Sequence, residues 1–249
     1  MAERLSSRSV RENFAIFDGR RKDLVKTGNK SNLRAVNIPF FLFLYYNRDG
    51  DIMKSILVEI QCDCGFHTYR KSETLVLSDF EVDIRKALME NTYFTIRCPR
   101  CGKEIIFLHP FAYVDKKHHF IILLKPKQAF CEDDHHLYHE DTRSRKRIVF
   151  DPKAIKEKLC ILEDDFDDRV IEIMKEKLRL QLERQGREIV DIVYQDRHED
   201  SLWFLVNQEP LAVLYENYQS IESSLEKEKY DRYLAIDGQW AKAWLALHK

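Results

Sequence analysis

Ile56–Gln61 alternates apolar and polar residues and is dense in β-branched side chains. Period-two alternation of this kind predicts a half-buried strand. By the same signal Glu73–Leu77, Thr92–Arg97, Glu104–His109 and Phe120–Leu124 are expected to be strands. Between them, Asp79–Glu90 changes period. Phe80, Ile84, Ala87 and Leu88 fall at i, i+4, i+7 and i+8, one face of a helix that Ser78 or Asp79 would cap.

Residues 126–149 break the pattern. They run from Glu132-Asp133-Asp134-His135-His136 to Arg143-Ser144-Arg145-Lys146-Arg147 and are mostly polar. Helical periodicity dominates after them. Asp151-Pro152 has the residue types of an N-cap and a first helical position, with Ile155 and Leu159 on the apolar side. Phe166–Gln185 carries Val170, Met174, Leu178 and Leu182 at i+4 spacing, and Gly186 is placed to stop it. Glu188–Tyr194 and Leu202–Val206 predict a hairpin about the polar turn Gln195–Ser201. Tyr215–Ile236 is expected to form one long helix through Tyr218, Ile221, Leu225, Tyr230 and Tyr233. Asp237-Gly238 would break it, and Gln239–Leu247, with Trp240 and Trp244, would close the chain as a last apolar helix.

Composition narrows the function classes. The 7 glycines of the 249 residues lie at 19, 28, 50, 65, 102, 186 and 238. No two are close enough for a phosphate-cradling P-loop, a dinucleotide fingerprint or a Gly-x-Ser-x-Gly elbow. Lys and Arg number 41 against 42 Asp and Glu, so bulk charge points to neither a nucleic acid nor a membrane surface. The balance hides a basic residues 1–49 (10 basic, 5 acidic) and an acidic residues 150–249 (15 basic, 22 acidic). The longest apolar run, Ile38–Tyr46, has nine residues where a membrane-spanning helix needs about 20. No small-residue cleavage site follows it, so a cytoplasmic protein is expected. Residues 1–52 read in two ways. They are a disordered N-terminal extension, or an over-extension of the start site, because Gly50-Asp51-Ile52 can be encoded by codons resembling a ribosome-binding site just before Met53.

Cys98-Pro99-Arg100-Cys101-Gly102 carries the most specific chemistry. Two residues between thiolates let both sulfurs reach one tetrahedral metal. Gly102 can take positive φ and turn the following amides toward the sulfurs. With strands on either side, this is a zinc knuckle. Cys62-Asp63-Cys64-Gly65, also at a strand end, supplies two further thiols. The expected zinc ligands are Cys62, Cys64, Cys98 and Cys101. His67 is an alternative ligand, since Cys64 and His67 also have knuckle spacing. A redox dithiol at Cys98/Cys101 competes with this reading, but such motifs usually sit at a helix N-terminus rather than between strands.

From Ile56 to Leu182 the chain resembles the CpXC domain family of bacterial and archaeal proteins. The resemblance rests on Cys62-Asp63-Cys64-Gly65, on Cys98-Pro99-Arg100-Cys101-Gly102 with His109-Pro110-Phe111-Ala112-Tyr113-Val114-Asp115, and on Ile148-Val149-Phe150 through Asp167-Asp168-Arg169-Val170-Ile171-Glu172. The first pair lacks a Pro, and the family's Tyr-His-Asp reads Tyr113-Val114-Asp115 here. The resemblance implies the zinc site and the fold. It implies no activity.

Cys131, His135 and His139 recur at i+4 and are a candidate second metal site, against the plainer reading of a solvated polar loop. Glu163-Asp164-Asp165 and Asp167-Asp168 lack the oxygen spacing of a calcium loop and read as acids at a helix N-terminus. Arg143, Arg145, Lys146 and Arg147 are candidate nucleic-acid contacts. No His-Glu-x-x-His or zinc-deaminase motif occurs, and a four-Cys zinc keeps no open position, so an enzyme is not expected.

The chain is therefore read as α+β. A zinc-ribbon-like β module over 53–126 and a polar connector over 127–147 precede an α-rich C-terminal module with a β-hairpin over 148–249. The expected function is a cytoplasmic zinc-binding protein that acts on a macromolecular partner, with protein ahead of nucleic acid and no membrane. A nucleic-acid-binding regulator using the basic connector is the alternative, and a thiol redox protein the third reading.

Overall fold

The computed structural model describes residues 55–125 and 141–248. The candidate second metal site at Cys131, His135 and His139 lies outside the described residues, as do residues 1–52. The fold is mixed α+β, with four small sheets and five helices among the described residues. No helix among them is long and apolar enough to cross a membrane.

Two hairpins come first. β1 (Ser55–Gln61) pairs antiparallel with β2 (His67–Glu73), and the first Cys pair lies in the turn between them. After β3 (Leu75–Leu77) and α1 (Val82–Met89), β4 (Thr95–Arg97) pairs with β5 (Glu104–Ile106) around the second Cys pair. Val58 and Ile60 of the first hairpin share a small core with Ile96, Ile105 and Phe107 of the second. β2 is not predicted by the sequence pattern, because its polar alternation, His67-Thr68-Tyr69-Arg70-Lys71, carries no apolar face. α1 is shorter than expected. Glu81, not Ser78 or Asp79, precedes it, and Phe80 points into solvent.

The central sheet has the order β3-β6-β7-β8, from β6 (Phe111–Asp115), β7 (Phe120–Leu124) and β8 (Arg145–Val149). β3–β6 and β7–β8 are parallel and β6–β7 antiparallel. α1 and α2 (Pro152–Glu163) cover one face, where Leu88, Ile155, Leu159 and Leu162 meet Tyr113, Phe120, Ile122 and Val149. Asp151 caps α2 and Pro152 opens it, as its sequence predicts. The boundary expected at 147/148 falls inside β8, which is hydrogen-bonded to β7.

α3 (Asp168–Arg184) packs on a second sheet, an antiparallel meander of β9 (Ile192–His198), β10 (Ser201–Val206) and β11 (Glu209–Leu214). The third strand is one more than the expected hairpin. Asn207 and Gln208, at φ +51° and +72°, make the tight turn into it. The long helix expected over 215–236 stops early: α4 spans Tyr215–Glu222 and α5 Gly238–Leu247. Ser223 and Ser224 end α4 by turning their hydroxyls back onto the carbonyls of Ser220 and Ile221. The segment beyond runs as a strap along β8. The amide of Leu234 donates to Lys146 O, and its carbonyl accepts from Ile148 N.

The strap is held by charge. Arg147 is fully buried, and all five of its N–H groups are used. Nε and Nη2 bond Asp168, Nη1 and Nη2 bond Glu228 at 2.7 Å, and Nη1 bonds the Lys146 carbonyl. Lys158 Nζ reaches Asp168 at 2.8 Å and Glu172 at 3.4 Å. Lys175 joins Glu172 to Glu157, whose Oε1 accepts from the Tyr194 amide of β9. One network thus ties β8, α2, α3, the strap and the meander. Burial pushes the Asp168 carboxyl up, but Arg147 and Lys158 outweigh that and hold it well below the usual carboxylate range.

This corrects the expected basic patch. Arg147 and Lys146 are buried, and Arg145 is bonded to Phe166 O and Tyr230 Oη. Lys146 donates to the Tyr230 carbonyl at 2.8 Å. Of the four candidate contacts, only Arg143 is exposed. Cutting Arg147 back would leave buried Asp168 with Lys158 alone and Glu228 with only Arg169 at 3.5 Å. Arg147→Ala should destabilise the fold by about 3–5 kcal/mol, against about 0.5 kcal/mol or less for Arg143→Ala. Urea unfolding of both variants checks this, and similar losses at the two positions would contradict the network's role.

Candidate metal centre

The two hairpin turns bring four thiols together. The Sγ atoms of Cys62, Cys64, Cys98 and Cys101 all lie within 4.8 Å of one another. Across the hairpins, Cys62 is 3.5 Å from Cys101 and Cys64 is 3.6 Å from Cys98. Disulfides would need about 2.05 Å. A tetrahedron of sulfurs about 2.3 Å from a central metal has edges of about 3.8 Å. The cluster has the donor set and the spacing to hold one metal ion.

Local backbone chemistry makes the cluster. Each turn is closed by amide bonds, Gly65 N to Cys62 O and Gly102 N to Cys98 O, at 2.9 and 2.8 Å. Both glycines take the left-handed conformation, φ +81° and +73°, which side chains resist. The turn amides face sulfur: Phe66 bonds Cys64, Arg100 and Cys101 bond Cys98, and Lys103 bonds Cys101. Burial would raise the Cys98 thiol, yet these amides and the neighbouring thiols hold it down to about 7. At Cys64 the Phe66 amide favours the thiolate, but burial and the three other thiols outweigh it, and the thiol is pushed up to about 12. The hairpins also exchange contacts. Arg100 Nη1 donates to Cys64 O at 3.1 Å, and Lys103 Nζ pairs with Asp63 at 2.5 Å. These two cations stand beside a site whose four thiolates would leave a divalent ion with net negative charge.

His67 is placed elsewhere. Its Nε2 lies 2.6 Å from Glu59 Oε1 across the β1–β2 ladder, and its ring stands edge-on to Tyr69. Among the described residues, the four cysteines alone are gathered.

A second group of residues, to which the sequence pattern assigns no role, joins the centre to the central sheet. His109 is buried among Phe94, Phe107 and Phe111. Its Nδ1 is 2.8 Å from the Pro110 carbonyl, which can only accept, so Nδ1 carries the proton. Nε2 then accepts from Ser72 Oγ at 2.8 Å. Ser72 is also 3.2 Å from Tyr93 Oη, which exchanges hydrogen bonds with the backbone of Glu73. The signals in the sequence were its place at the end of the expected strand Glu104–His109 and in the His109–Asp115 stretch of the CpXC resemblance.

The comparisons with known proteins agree with the resemblance. Residues 60–175 match the family model described as CpXC protein. The match takes in all four cysteines, His109, Arg147, Lys158, Asp168 and Glu172. No curated protein and no solved structure matches the chain.

Burial lowers His109 from its ordinary 6.5 to about 4. The unfolded chain therefore takes up this proton first on acidification. Stability from the neutral imidazole is complete above pH 6.5 and is lost as pH falls toward 4, amounting to about 3 kcal/mol. The difference in unfolding free energy between wild type and His109→Phe, measured at pH 7.5, 6, 5 and 4, should shrink by that amount. A pH-independent difference would place the imidazole's titration outside folding.

Proposed function

We propose that this chain, whose residues 60–175 carry a CpXC domain, is a zinc protein whose Cys62, Cys64, Cys98 and Cys101 form a closed structural site. The gathered sulfurs of two facing hairpins carry the reading. Four thiolates fill a tetrahedron and leave no coordination position for water or substrate, so the metal builds structure. The paired knuckles have the arrangement of a zinc ribbon, and metal binding would contribute directly to folding the two hairpins.

The protein then acts through contact with a macromolecule, and a protein partner fits the surface better than a nucleic acid. Arg145, Lys146 and Arg147 are committed to internal acceptors. The outward face of β10–β11 instead presents Trp203 and Leu214, with Pro210 and Ala212 exposed beside them. An exposed apolar patch that includes an aromatic side chain is typical of a protein-facing surface.

Metal content by mass spectrometry on untagged protein tests the site. One zinc per chain is expected, retained by His67→Ala and lost together with hairpin order in Cys98→Ser. Metal retention by Cys62→Ser would bring His67 into the ligand set. Metal-free protein with four titratable thiols would replace this reading with thiol redox chemistry. For the partner, a labelled DNA or RNA duplex should show no steeply salt-dependent binding. A strong fall in affinity between about 50 and 200 mM salt would favour the nucleic-acid reading.

A further inference from the structure

The central sheet has two apolar faces, and the described residues cover one. Helices α1 and α2 pack on the side of Tyr113, Phe120 and Ile122. On the other side Leu75, Ala112, Val114, Ile121, Leu123 and Ile148 form a separate cluster. All six are buried, and Ala112 and Ile121 are at zero exposure. Among the described residues, the only members of this cluster from outside the four strands are Tyr233 and Phe150. Two side chains cannot remove a sheet face three to four strands wide from water. Strands that are apolar on both faces, such as Phe120-Ile121-Ile122-Leu123-Leu124, belong to sheets covered on both sides.

We propose that Ile38–Tyr46 of this same chain is the cover. Three observations converge on it, and none depends on the metal. The first is where the chain enters. Ser55 pairs with Glu73, and Leu75, two residues on, opens the edge strand β3. The residues before Ser55 therefore emerge beside this sheet. The second is reach. Residues 47–54 can span up to about 30 Å, and four strands are about 14 Å across. The third is chemistry. Ile38-Pro39-Phe40-Phe41-Leu42-Phe43-Leu44-Tyr45-Tyr46 is the longest apolar run in the chain. The other stretch outside the described residues, 126–140, has Glu132-Asp133-Asp134-His135-His136 at its middle. Left uncovered, the Ala112–Leu123 face would be an aggregation surface, and a chain begun at Met53 would lack this cover.

Photo-cross-linking of the full chain tests the assignment. Phe40, Phe41 and Phe43 are replaced one at a time by p-benzoylphenylalanine, which keeps an aromatic side chain, with Phe14 as a control position. At least one of the three should give an intrachain cross-link to peptides within 111–124, and Phe14 should not. Cross-links between chains, identified by mixing isotope-labelled and unlabelled protein, would assign the face to a second copy and overturn the proposal. No cross-link to 111–124 from any of the three would overturn it as well. As an independent measurement, Leu42→Asp/Leu44→Asp should raise anilinonaphthalene sulfonate fluorescence several-fold while the far-ultraviolet dichroism stays native. Unchanged dye binding in that folded variant would count against the cover.

Discussion

A guanidinium with no water around it must find carboxylates, and Arg147 organises the fold by doing so. Four of its five N–H groups fix Asp168 at the start of α3 and Glu228 in the strap at once, and the fifth bonds the Lys146 carbonyl. Asp168 in turn receives Lys158 from α2. Removing charged groups from water costs several kcal/mol per ion unless geometry and hydrogen bonding answer it closely. Here every donor of Arg147 is answered, so the network selects one arrangement of sheet, helices and strap over looser packings. Placing Asp168 in the first turn of α3 adds a helix dipole that favours its ionised form. The strap illustrates the consequence. Nothing in the periodicity of residues 223–236 forbids a helix. The chain is non-helical there because Glu228 is bound to Arg147 and Leu234 to the backbone of β8.

What the sequence disclosed follows from the range of each interaction. The cysteine turns were legible because knuckle chemistry is local: two thiols, a short spacer and a glycine with positive φ suffice. The gathering of both turns could be anticipated because a tetrahedral metal needs four ligands. α2 and α3 were legible from caps and period. β2 and β11 were not, since strands with one solvated face and polar or mixed side chains carry little apolar signal. The basic run at 143–147 misled for a related reason. Charge is read as solvent exposure unless a partner is in view, and the partners Asp168 and Glu228 lie 21 and 81 residues away. The clue available was the strand period. Arg145 and Arg147 share a side of β8 with Val149, the side that meets α2.

The centre and the central sheet are coupled through β2. One end of that strand begins at the Cys62–Phe66 turn, and the other carries Ser72 and Glu73 into the bonds with His109 and Tyr93. His109 lies on the segment between β5, which leaves the second cysteine turn, and β6 of the central sheet. Both hairpins therefore return to the same buried His-Ser-Tyr cluster. A metal held by the four sulfurs would fix the turns, and the turns set the register in which Ser72 meets His109. The aromatic cage that lowers His109 also shields these hydrogen bonds from competing water, where each is stronger than at a surface. The coupling runs in both directions by necessity: whatever the ordered sheet contributes to holding Ser72 and His109 in place also preorganises the four sulfurs. In such an arrangement a ligand set drawn from two short hairpins, neither of which would be stable alone, gains its rigidity from a sheet on which no ligand resides.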